Sequence, residues 1–132
     1  MAQERGQWRA VSSTARAITG DVAIGGQKIS INFMSFTIAQ IKTLDAAEVN
    51  AVFNPDTPAV VGGQLYRLDV PASTRFAHKN TLCGSEDTQW MVTYVTGKTL
   101  QLAFFSGTKM PVFTGEAMAG SSELCGTFTY AR

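Results

Sequence analysis

The sequence is short of charge, of histidine and of cysteine, and each shortage removes a class of function. Charged residues make up 16% of its 132 positions, and eleven Lys and Arg against ten Asp and Glu leave a formal net charge of +1. There is no long-range field to gather nucleic acid or an anionic membrane, so neither is expected as a partner, and any such contact would be local. A single histidine, His78, removes multi-histidine metal sites and leaves one base of that kind for nucleophilic chemistry. Gly115 and Gly120 have the spacing of a phosphate loop but not the Lys-Ser or Lys-Thr ending that would grip a nucleotide. No cofactor is expected. The apolar stretches 29–41 and 100–105 are broken by polar residues well short of the roughly 20 that cross a bilayer, so no transmembrane helix is expected. The start, Met1 to Arg5, has no basic patch followed by an apolar run. A polar Ala-Gln-Glu is what signal peptidase leaves behind, and the expectation is an added Met1 on a mature exported chain, with residues 1–7 frayed.

What is present favours one mostly β domain spanning residues 1–132. The length suits a single core, 45% of residues are hydrophobic, and Thr, Val, Ile and aromatics favour strands. Alternation predicts a weak first strand over Trp8 to Thr19, a break at Gly20 and Asp21, and inward Val22 and Ile24. A turn at Gly25-Gly26 leads to a strand with Ile29, Ile31 and Phe33 on one face. Phe36 and Ile38 continue after a bend near Met34 or Ser35. Leu44 to Phe53 reads two ways: Asp45 and Glu48 form a capping-box pattern for a helical turn, while Val49, Ala51 and Phe53 alternate like a strand. Asn54 to Gly63 and Ala72 to Asp87 are loops around a strand carrying Tyr66, Leu68 and Val70. Gln89 to Thr96 and Thr99 to Ser106, joined at Gly97-Lys98, form a hairpin apolar on both faces, hence central or doubly covered. A Gly-rich loop, Gly115 to Ser122, precedes a final strand from Leu124 to Ala131. The architecture expected is a small antiparallel barrel of about eight strands, a sandwich being second choice, with room for one short helical turn.

Cys83 and Cys125 each stand in a Leu-Cys-Gly context, which suggests a disulfide and an oxidising compartment; two reduced buried thiols or a redox cysteine are the alternatives. Arg75, His78 and Lys79 could present a cationic patch beside that bridge, and Gly115 to Ser122 a second loop near it. Asp21, Asp45, Asp56, Asp69, Glu86, Asp87, Glu116 and Glu123 are scattered near turns, a poor basis for a paired-carboxylate hydrolase. Trp8 is expected to close one barrel end. Phe33, Phe36, Tyr66, Trp90, Tyr94 and Phe104 could line an internal apolar cavity, although strands of this length can also fill their own interior.

The run Leu82-Cys83-Gly84, Trp90, Leu100 to Gly107 and Leu124 to Tyr130 resembles a family of small exported proteobacterial proteins with no assigned function. The resemblance implies a removed signal peptide and a periplasmic or secreted home, and carries over no catalytic residue. In size and strand rhythm the chain is also similar to periplasmic lysozyme inhibitors and lipocalin-like barrels, at fold level alone. The leading expectation is an exported, non-enzymatic binding module that presents loops to a protein or envelope component. A carrier of small apolar ligands is the alternative, and a hydrolase the third.

Overall fold

The computed structural model describes residues 4–53, 62–76 and 79–132. Nine strands follow in chain order: β1 (Gly6–Ala10), β2 (Val22–Ile24), β3 (Lys28–Ile31), β4 (Met34–Thr37), β5 (Ala39–Leu44), β6 (Gly63–Val70), β7 (Thr88–Thr96), β8 (Thr99–Phe105) and β9 (Leu124–Ala131). All pairings are antiparallel, in the order β4-β3-β2-β1-β9-β8-β7-β6-β5. The ladder is not closed by hydrogen bonds between its ends. Those ends are nevertheless successive pieces of one bent strand: Thr37 pairs with Lys28, the Ile38 amide donates to the Gln27 carbonyl at 2.9 Å, and Ala39 already pairs with Arg67. The sheet must therefore curl until its edges meet at Ile38, which gives a barrel-like shell of the kind expected. Counting the bent strand once recovers the expected eight.

β1 is shared in the same way, its first half pairing with β2 and its second with β9. Glu4 is buried and Gly6 and Gln7 lie in β1, so residues 4–7 belong to the fold rather than to a frayed end. Trp8 is buried as anticipated, its indole donating to the Glu4 carbonyl at 2.8 Å. The reading of one strand from Trp8 to Thr19 fails after Ala10. Ser12 turns the chain by accepting the Ala15 amide on its hydroxyl and the Arg16 amide on its carbonyl, and a π-helical turn, Ala15–Thr19, follows. Local side-chain bonding of this kind competes with the ladder, which weak alternation could not reveal.

The interior is a single cluster fed by every part of the shell, including Trp8, Ile29, Ile31, Leu102, Phe104, Phe128 and Tyr130. A second cluster lies on the other face of β5–β8, where Leu65, Trp90, Val92, Ala103 and Phe105 meet Val49, Val52 and Phe113. The central hairpin is thus covered on both faces, as its composition required. Gly97, at φ +58°, takes the first position of its two-residue turn. The outer cover comes from α1 (Ala46–Phe53) and α2 (Gly115–Ala119), which pack together. At α1 the helical reading wins: Asp45 accepts the Glu48 amide at 2.8 Å and Glu48 accepts the Asp45 amide at 3.1 Å, a complete capping box. Thr114 caps α2 by accepting the Ala117 amide at 3.1 Å, so the expected Gly-rich loop is in part a helical turn. Cys83 and Cys125 are bonded, with Cα atoms 4.9 Å apart, tying the start of β9 to the loop before β7. No helix among the described residues is long and apolar enough to cross a membrane.

Candidate functional site

Alternation along β1, β2 and β3 sends Trp8, Val22, Ile24, Ile29 and Ile31 inward and leaves Gln7, Arg9, Ala23 and Ser30 on the outer face. Register aligns Gln7, Ala23, Ser30 and Ser35 in one row across four strands. Gln7, Ala23 and Ser30 of that row floor a groove of about 880 Å³, within the range of ligand sites. Its walls are the Thr19-Gly20-Asp21 corner, the Asn32-Phe33 turn and Arg132.

The walls are rigid for identifiable reasons. Thr19 is fully buried and shares a 2.6 Å hydrogen bond with the Tyr130 hydroxyl, and Gly20, at φ +63°, turns the chain where a side chain would be strained. Asp21 accepts the Ala10 amide at 2.9 Å, fixing the corner to β1. The Arg132 guanidinium lies 4.1 Å over the Trp8 ring while its Nη1 donates to the Arg5 carbonyl at 2.6 Å. Burial holds the Tyr130 hydroxyl well above the ordinary tyrosine range, against the Thr19 hydrogen bond and with added repulsion from Asp21.

The Asn32-Phe33 turn is the anomaly. Ile31 pairs with Met34, so two residues close the hairpin, both with positive φ, 51° and 67°. Asparagine tolerates that conformation, whereas an aromatic side chain there costs about 1–2 kcal/mol and glycine is the usual occupant. Phe33 recovers nothing by packing, because it is fully exposed. The strand expected to carry Phe33 inward therefore ends two residues earlier. A strained, fully exposed aromatic on the rim of a groove is a feature the fold itself does not need.

The site residues anticipated from sequence lie elsewhere. Arg75 and Lys79 occupy one exposed loop, anchored by buried Phe76 and by Asn80, whose side chain donates to the Ala17 carbonyl at 3.0 Å. Arg75 Nη1 donates to the Ala72 carbonyl at 3.0 Å. His78 lies outside the described residues, as does most of the Asn54 to Gly63 loop, including Asp56. The loop bearing Arg75 attaches through Phe76 to the interior cluster, whereas Met118 of α2 packs on the outer one, so Arg75 to Asn80 and Gly115 to Ser122 serve opposite faces of the sheet. The six aromatics proposed as a cavity lining are likewise divided. Tyr66 and Phe104 are interior, Phe36 packs beside Phe76, Trp90 and Tyr94 are in the outer cluster, and Phe33 faces solvent.

Several carboxylates are occupied with backbone amides: Asp21 with Ala10, Asp45 with Glu48, and Asp87 with Ala72 at 2.8 Å. Among the described residues no cluster of three His, Cys, Asp or Glu could hold a metal ion. Sequence reading missed Gln7, Arg9, Asn32 and Arg132 as a set, because they converge through register and not through spacing. The one legible signal was Asn32, a turn former between two inward residues. No family model, curated protein or solved structure matches the chain.

Proposed function

We propose that this chain is an exported, non-enzymatic binding module that engages a protein or envelope component through the groove on β1–β3. The observation that carries the reading is Phe33: a fully exposed aromatic held in a left-handed turn at the rim of a groove with a rigid floor. Exposed aromatics on rigid supports are the residues that dominate binding energy, since they add contact area at little entropic cost. The disulfide suits an oxidising compartment and supports a periplasmic or secreted home. Aspartates engaged in capping backbone amides support a scaffold role for those groups over a catalytic one.

The test is site-specific photocrosslinking in an exporting bacterial host, with the photoreactive residue at position 7 on the groove floor or at position 75 on the basic loop. A discrete adduct from position 7, competed by excess unmodified protein, is expected. An adduct from position 75 alone would transfer the binding surface to the Arg75–Lys79 loop. Broad hydrolase activity that disappears on replacing Asp21 or His78 would contradict the non-enzymatic reading.

A further inference from the structure

Several polar side chains elsewhere on the shell have partners: Gln40 with Gln64, Lys42 with Glu48, and Arg67 with Gln89. Gln7, Arg9 and Asn32 make no side-chain hydrogen bond or ion pair with another described residue, and all three line the same groove. Arg9 has no carboxylate partner among the described residues, and Asp21, the acidic side chain lining the groove, already accepts the Ala10 amide. An exposed, uncommitted guanidinium beside amide donors and an aromatic rim is suited to a carboxylate flanked by an apolar group.

We infer that the groove takes an acidic polypeptide segment, its carboxylates paired with Arg9 and bonded by Gln7 and Asn32, and an apolar side chain set against Phe33. This rests on the groove being the binding surface. A concave floor favours a chain segment over a bilayer, because a flat membrane surface does not follow a groove. Bidentate pairing of Arg9 with a carboxylate gives specificity, and its exposure makes the interaction sensitive to salt.

The experiment is fluorescence anisotropy on the intact oxidised protein. The probe is a labelled, terminally blocked peptide of Glu-Glu-Phe repeats, compared with its Lys-Lys-Phe counterpart and with phosphatidylglycerol vesicles. The glutamate peptide should bind saturably and at least about tenfold more tightly than the lysine peptide. Arg9→Glu should weaken it by about tenfold or more and Arg9→Gln by less, while Lys109→Glu, at an exposed position outside the groove lining, leaves it unchanged. No saturable peptide binding, equal binding of both peptides, indifference to Arg9→Glu, or vesicle binding without peptide binding would each overturn the acidic-segment inference. A position 7 adduct that survives Arg9→Glu would overturn it while leaving the groove as the binding surface; loss of any position 7 adduct in the unaltered chain would remove both.

Discussion

Tyr66 and Tyr130 keep their hydroxyl protons first because they are buried. Tyr66 also donates to the carboxylate of buried Glu4, so its ionisation would set two negative charges in contact; at Tyr130 the Asp21 charge adds to the effect of burial and the Thr19 hydrogen bond opposes it. In both cases the folded protein holds the proton above the unfolded value near 10. The stabilisation is therefore complete below that pH and is lost as pH rises beyond it, by about 1.4 kcal/mol per pH unit for each tyrosine. An alkaline titration followed by phenolate absorbance and near-ultraviolet circular dichroism should show Tyr66 and Tyr130 ionising together with unfolding. Phenolate absorbance from both in a folded protein would contradict it. Tyr66→Phe leaves the Glu4 carboxylate buried without that donor and should cost about 2 kcal/mol in urea unfolding.

Local chemistry decided the elements whose alternation was ambiguous or weak. Asp45 and Glu48 announce the start of α1, and their reciprocal bonds explain why Val49 and Val52 reach the outer cluster as a helical pair. Asp45→Ala should lower stability by about 1 kcal/mol, seen as a shift in the urea midpoint with an unchanged slope. A Cβ on Gly63 would overlap the Thr93 carbonyl across the β6–β7 ladder and press on Val49, so Gly63→Ala should destabilise by several kcal/mol, whereas a neutral result would mean the two strands can separate cheaply. The strand carrying Tyr66 was legible as an apolar period of two ended by Pro71, and the next two as dense apolar runs joined at Gly97-Lys98. Ser12 and Phe33 were not: one bends the chain through its own hydroxyl, and the other carries a strand-forming side chain at a position whose backbone conformation opposes it.

The whole molecule is a bent sheet stapled once, and the staple and the site sit at different places on it. Replacing Cys83 and Cys125 together with Ala should cost about 4 kcal/mol for a loop of this length, 42 residues apart in sequence, while leaving the groove walls intact in whatever fraction remains folded. The candidate site was largely illegible because the groove is made by register. Gln7, Ser30 and Arg132 are far apart in sequence and meet only after β1 has paired with both β2 and β9. The central claim is that Phe33 is kept in its strained turn for binding, against the interest of stability. It is tested most directly by Phe33→Gly, scored for thermal stability and for the position 7 adduct in the same preparation. The account predicts a more stable protein, by about 1 kcal/mol, with the adduct lost. A variant that is no more stable, or that still forms the adduct, would contradict it.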